Sequence, residues 1–183
     1  MERILIIDFD DTLIKTIDVH AEAWRQSLNK TLDIEIPKDT ILNDINYGID
    51  VLLKKFQLSD AEIKKSAKLK KEFFNKTLHN TQVNELLLYI CKNDIFEHVV
   101  IASNSSKENL MRLLAYHNID TSIFSMILTR DDVKNKKPYP DMGDIIFSKF
   151  PEYDKDDYIM VGDSDVDKIF ATKLGIKCIM VNF

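Results

Sequence analysis

Five short runs constrain the fold of this chain more than any other feature: Arg3–Ile7, His98–Ser103, Ser125–Thr129, Tyr158–Val161 and Lys177–Val181. They are continuously apolar rather than alternating, as strands covered on both faces are. Helical stretches separate them. Ser105-Ser106-Lys107-Glu108 reads as a capping box opening a helix to about His117. Asp141–Phe150 and Asp165–Leu174 carry helical periodicity, and Gly175 stands where the second of these would stop. Strands alternating with helices predict a doubly wound, parallel, five-stranded α/β sheet.

One connection is far longer than a plain crossover, which needs about a dozen residues. Its excess reads as helical. Ile17, Ala21, Trp24 and Leu28 fall on one helix face, and Ser59-Asp60-Ala61-Glu62 is a capping box for a lysine-rich helix to about Leu78. The expected organisation is a core of residues 1–13 and 81–183, with residues 14–80 inserted as a small helical cap domain. The insertion begins just after a cluster of aspartates, so it is placed to cover whatever site they form.

Composition narrows the function. The chain has 183 residues, enough for one domain with a small insertion, and 45% of them are hydrophobic, enough for a core. Its 30 acidic against 25 basic residues leave a net charge of −5, which gives no global footprint for nucleic acid or an anionic membrane. No apolar run approaches the roughly 20 residues of a membrane span. Ile4-Leu5-Ile6-Ile7 is too brief for a signal peptide. Cys91 and Cys178 lie far apart without a CxxC pairing and read as buried thiols in a reducing compartment. A cytoplasmic protein with no obligate protein partner is expected.

Four polar clusters follow the first four strands: Asp8-Phe9-Asp10-Asp11-Thr12, Ser103-Asn104-Ser105, Lys136-Lys137-Pro138-Tyr139-Pro140-Asp141, and Gly162-Asp163-Ser164-Asp165-Val166-Asp167. In an open α/β sheet ligands bind at the carboxyl ends of the strands, so the four clusters should converge on one crevice. Taken singly, each has a plainer reading. Asp8 and Asp10 suit a polar turn, Ser103-Asn104 a turn and helix cap, Lys137 a solvated lysine, and Asp167 a helix N-terminus.

Together, in this order, they resemble the four motifs of the haloacid dehalogenase superfamily, over nearly the whole chain. The resemblance implies a Mg²⁺-dependent phosphatase acting on a small phosphorylated metabolite. Asp8 would attack phosphorus and form an aspartyl phosphate. Asp10 would protonate the leaving oxygen and later take a proton from water. Ser103 would hydrogen-bond a phosphoryl oxygen, and Lys137 would bring fixed positive charge to the transition state. The metal ligands implied are Asp8 and Asp163 through their side chains and Asp10 through its carbonyl, with Asp167 a ligand or a neighbour of one. Two like charges about 4 Å apart cost about 4 kcal/mol at an effective dielectric near 20, so this crowd of carboxylates demands a cation. Hard oxygen ligands favour Mg²⁺.

The expected substrate contacts are Thr12, Asn104, His20 and Lys76. Thr16, His20 and Trp24 resemble positions of the β-phosphoglucomutase-like branch, where a threonine and histidine influence the acid/base aspartate. A histidine there also suits a helix surface or a core hydrogen bond. Lys76 shares its helix with Lys64, Lys65, Lys68, Lys70 and Lys71, a series that reads as a solvated face. Trp24 and Phe73 read as core.

Three departures from the family pattern stand out, and the last two bear on the reaction. Position 11 is Asp where many family members have Gly. The fourth motif is Gly162-Asp163, the form common in phosphatases, where the mutase branch has Glu-Asp. No arginine stands in Asn46-Tyr47-Gly48-Ile49-Asp50, where a sugar-phosphate mutase would hold the distal phosphate. Both the fourth motif and this missing arginine favour hydrolysis. The alternatives are a phosphomutase and a phospho-aspartate signalling domain; the second acid/base aspartate and the insertion argue against the latter.

Overall fold

The computed structural model describes residues 3–45 and 53–183. The Asn46–Asp50 segment therefore lies outside the described residues. The chain divides into two compact units: Met1–Lys15 with Val83–Phe183, and Thr16–Gln82.

The larger unit is built on five parallel strands, β1 (Ile4–Ile7), β2 (His98–Ala102), β3 (Met126–Leu128), β4 (Tyr158–Gly162) and β5 (Lys177–Met180). Their order is β3-β2-β1-β4-β5, so β1 is central. Ile4 pairs with His98 on one side and Tyr158 on the other, and the register runs on to Ile7 with Ile101 and Val161. All four residues of β1 are buried. Side chains alternate across a strand, so Ile4 and Ile6 serve one face and Leu5 and Ile7 the other. Ile4 and Ile6 join a core with Met142, Ile146, Phe150, Phe170 and Leu174. Each such side chain contributes about 1.5–3 kcal/mol through burial.

The sheet does not cover every strand on both faces. In β5, Ile179 and Met180 are 50% and 43% exposed, and Cys178 is only half-buried. β5 is an edge strand, and an apolar run alone does not reveal that position. Cys91 is buried as expected, and burial pushes its thiol up to about 12.

Helices α4 (Glu85–Lys92), α5 (Lys107–Tyr116), α6 (Asp141–Lys149) and α7 (Asp165–Leu174) complete this unit. The Asn84 side chain caps α4 by accepting from Leu87 N, and it also donates to the Thr12 carbonyl at 3.2 Å. Through Asn84, α4 therefore holds the loop that follows β1. α7 ends in Gly175, whose φ of 72° is the left-handed conformation a glycine stop supplies. The expected Ser105 capping box does not form. The cap of α5 is Ser106, which accepts from Asn109 N, and Ser105 stands one residue outside the helix. With two serines in succession, the sequence pattern does not settle which one caps.

The smaller unit holds α1 (Ile17–Leu32), α2 (Lys38–Ile45) and α3 (Asp60–Lys76), with the Ser59–Glu62 capping box opening α3. α1 and α3 meet through small residues. Ser27 Oγ donates to the Ser66 carbonyl at 2.5 Å and Ser66 Oγ to Thr31 Oγ1 at 3.0 Å. Ala21, Leu28, Ile36 and Ile41 form its core, and Trp24 packs against them. Of the helix's lysines, Lys64, Lys65, Lys68, Lys71 and Lys76 are exposed, whereas Lys70 is half-buried.

Tyr158 is fully buried, and its hydroxyl donates to the Phe150 carbonyl at 3.0 Å. That carbonyl also accepts from Tyr153 N, so Tyr158→Phe costs one hydrogen bond without orphaning the acceptor. The expected loss is about 1 kcal/mol, read from urea unfolding.

Candidate active site

The chain passes from β1 to β2 on one side of the sheet and returns to β4 on the other. The carboxyl ends of these three strands thus surround the crossover, where an open sheet binds ligands. Asp8 follows β1, Ser103 follows β2 and Asp163 follows β4. With Asp10, Lys137 and Asp167 they line one cleft of about 280 Å³.

Lys137 is its centre. The side chain is only 2% exposed, and its ammonium donates to Asp8 Oδ1 at 2.7 Å and Asp167 Oδ1 at 2.6 Å. Burial alone would lower its pKa; the two carboxylates outweigh burial and hold it above the ordinary value. The backbone under Lys137 is held as firmly. Asn104 Nδ2 donates to the Lys137 carbonyl at 2.9 Å, and Asp141 Oδ2 accepts from Asn135 N at 2.9 Å, closing the loop. A solvated lysine is thereby excluded.

Asp167 sits in the first turn of α7 and is 1% exposed. Its Oδ2 accepts from Ser164 Oγ at 2.7 Å and Ser164 N at 3.2 Å, so the capping box leaves Oδ1 to face Lys137. Gly162 makes this approach possible. A Cβ at position 162 would lie 2.4 Å from Asp167 Cβ and 2.5 Å from its Cγ. The glycine of the fourth motif is thus a steric requirement of Asp167.

The carboxylates are crowded. Oxygens of Asp8, Asp163 and Asp167 lie within 4.8 Å of one another. Burial pushes the Asp8 carboxyl up to about 7; Asp167 and Asp10 add to this and Lys137 opposes it. Burial likewise pushes Asp163 up to about 6, with Asp167 and Asp11 contributing and the Thr12 hydrogen bond opposing. Three carboxylates and one ammonium sum to −2, and all donors are hard oxygens. These residues fit a divalent cation.

Other expected positions resolve differently. Thr12 is wholly buried, and its hydroxyl donates to Asp163 Oδ1 at 3.2 Å, so it orients that aspartate instead of touching substrate. Asn104 spends its amide on Lys137, and its Oδ1 is buried with no hydrogen-bond partner among the described residues. Asp165 is exposed. Asp11 has φ 59°, a left-handed conformation that Gly, Asn and Asp tolerate best. This accounts for an aspartate at a position where glycine is common. His20 and Lys76 belong to the other unit. There, His20 stacks on Phe74 at 4.4 Å and its Nδ1 meets Lys70 Nζ at 2.7 Å, so its ring serves the packing of that unit. Lys76 Nζ lies 6.0 Å from the centre of the Phe73 ring.

Sequence reading missed Ser105, Ser164 and the steric role of Gly162. The Ser164-x-x-Asp167 spacing was a readable capping signal. The other two depend on tertiary approach.

Two measurements check this geometry. Gly162→Ala should lower stability by about 1–3 kcal/mol in urea unfolding, despite the usual gain from replacing a strand glycine, because Asp167 must move. The raised carboxyls give a pH test. Asp8 and Asp163 hold protons in the folded chain that the unfolded chain releases, so without a divalent ion their contribution to stability falls as pH rises from about 4 to about 7. Mg²⁺ should therefore raise the melting temperature more at pH 7 than at pH 5, by calorimetry in matched buffers.

A family model described as haloacid dehalogenase-like hydrolase matches residues 5–181. A phosphoglycolate phosphatase of Photorhabdus laumondii subsp. laumondii is 26% identical over 193 aligned residues, spanning 99% of this chain and 80% of that protein. Among solved structures, a predicted phosphoglycolate phosphatase from Haemophilus somnus 129pt superposes with a TM-score of 0.83 at 21% identity, over 98% of this chain and 84% of that one. A β-phosphoglucomutase from Clostridium difficile does so with a TM-score of 0.74 at 21% identity, over 100% and 86%. CbbY from Rhodobacter sphaeroides, solved in complex with phosphate, gives 0.78 at 18% identity, over 100% and 87%. At these identities the solved structures speak to the fold alone. The family pattern runs from β1 to just past β5 and takes in every strand that borders the cleft: the chain belongs to the haloacid dehalogenase-like hydrolases.

Proposed function

We propose that this hydrolase is a Mg²⁺-dependent phosphatase that cleaves a small phosphomonoester through an aspartyl-phosphate intermediate on Asp8. The observation that carries the reading is the buried Lys137 ammonium, held 2.7 Å from Asp8 in a cleft that also contains Asp10 and Ser103. A carboxylate nucleophile normally repels a phosphate dianion. A fixed cation beside it reduces that repulsion and remains in place as charge builds on the equatorial oxygens.

In the first step Asp8 forms a bond to phosphorus as the bond from phosphorus to the leaving oxygen breaks, and Asp10 gives that oxygen a proton. In the second, water attacks phosphorus, the aspartyl oxygen–phosphorus bond breaks, and Asp10 takes the water's proton. Ser103 is 1% exposed, and its Oγ accepts from Ser105 N at 3.0 Å, which fixes it as a donor to a phosphoryl oxygen. Asp8, Asp163 and the Asp10 carbonyl would hold Mg²⁺. Asp167 anchors Lys137 and borders the metal site. When bound, the ion supplies charge neutralisation at the phosphoryl group.

Gly162 favours hydrolysis over phosphate return to the same sugar, because the Glu-Asp form typical of the mutase branch cannot stand here without displacing Asp167. The 26% identical relative makes 2-phosphoglycolate a first compound to try. The test is release of inorganic phosphate, with Mg²⁺, from a panel of phosphomonoesters that includes it. Asp8→Asn should lower turnover by about 10⁴-fold or more while leaving the circular dichroism spectrum unchanged, because an amide does not attack phosphorus. Retained turnover in Asp8→Asn would sink the covalent mechanism. Interconversion of a sugar 1-phosphate and 6-phosphate without phosphate release would replace the phosphatase with a mutase.

A further inference from the structure

We propose that Ser105 is a positioning residue for Asp10, selecting which oxygen of that carboxyl exchanges protons with the reacting ester. The inference rests on Asp10 being the acid/base group of the proposed phosphatase.

Ser105 Oγ donates to Asp10 Oδ2 at 2.6 Å. The hydroxyl has a defined direction, because Asn109 Nδ2 donates to the same Oγ at 3.4 Å and turns its lone pair towards α5. The hydrogen of Ser105 is left to point at Asp10. The Ser105 backbone is anchored on both sides, its N–H donating to Ser103 Oγ at 3.0 Å and its carbonyl accepting from Arg130 N at 3.2 Å. The capping of α5 belongs to Ser106. The N-cap of α5 therefore does not require a hydroxyl at position 105, yet that hydroxyl joins the Ser103 turn to Asp10 across two strands of the sheet.

The consequence is chemical. A carboxyl whose Oδ2 accepts a hydrogen bond carries its own proton on Oδ1. As the ester bond breaks, that proton passes from Oδ1 to the leaving oxygen, and the resulting carboxylate keeps its Ser105 hydrogen bond. In the second step Oδ1 takes the proton of the attacking water, which restores the starting state. Without the serine hydroxyl Oδ2 loses the donor that leaves the proton to Oδ1, so the fraction poised for transfer falls.

The experiment compares two esters with Mg²⁺: an alkyl phosphate, whose alkoxide needs a proton in order to leave, and p-nitrophenyl phosphate, whose phenolate leaves without one. Ser105→Ala should lower kcat/KM, which reports the step in which the leaving oxygen departs and not the later hydrolysis common to both esters, by about ten-fold or more for the alkyl ester and by less than about three-fold for the aryl ester. Ser105→Thr, which keeps the hydroxyl, should recover most of the alkyl activity. An equal loss of kcat/KM on both esters, or no loss on either, overturns the positioning role while the phosphatase reading stands. A wild-type protein that releases phosphate from neither ester, nor from the wider panel, overturns the phosphatase reading itself.

Discussion

The site depends on one buried cation shared between two carboxylates. Lys137 brings the loop before α6 to Asp8 at the end of β1 and to Asp167 in the first turn of α7. Burying an ammonium without partners would cost several kcal/mol, and leaving either carboxylate unpaired would cost as much again. The three loops are therefore held to one arrangement. The supporting contacts follow the same demand: Asn104 and Asp141 hold the backbone under the lysine, and Ser164 occupies the oxygen of Asp167 that the lysine does not use.

Backbone space sets a second constraint. Asp167 reaches Lys137 only because position 162 has no Cβ, and the turn after β1 closes only with a left-handed residue at position 11. The two positions read alike as family letters but differ in physics. At 11 the requirement is a φ value that an aspartate meets at modest cost. At 162 it is volume, and no side chain meets it. Variation is therefore tolerable at the first position and coupled to Asp167 at the second.

Much of this was legible in the sequence, for identifiable reasons. β1, β2 and β4 are buried central strands, so continuous apolar runs marked them, and their carboxyl ends necessarily carried Asp8, Ser103 and Asp163 together. Gly175 marked the end of α7, whereas the Ser164-x-x-Asp167 signal at its start was available but not read. β5 was placed correctly but read as covered on both faces, because edge position is a property of the sheet and not of the strand. Thr12 and Ser105 were misassigned for a related reason. A hydroxyl's partner is chosen in three dimensions, and a short polar run after a strand offers several. Thr12 turned inward to Asp163, and Ser105 turned to Asp10 and left the cap to its neighbour.

The misassigned hydroxyls explain how similar carboxylates can hold different tasks. Asp8, Asp10, Asp163 and Asp167 share one cleft, and composition cannot tell them apart. Their partners can. Asp8 and Asp167 face an ammonium, Asp163 accepts from a buried threonine, and Asp10 accepts from a serine. At Asp8 the ammonium opposes the burial that pushes the carboxyl up, as the proposed nucleophile requires. A neutral hydroxyl orients a carboxyl without adding a charge beside it, which suits the proton transfer proposed for Asp10. On the proposed mechanism, the division of labour among the aspartates follows the atoms that hydrogen-bond to them: the ammonium holds Asp8 and Asp167 to one arrangement, the buried Thr12 turns Asp163 inward, and Ser105 orients the carboxyl proposed to move protons.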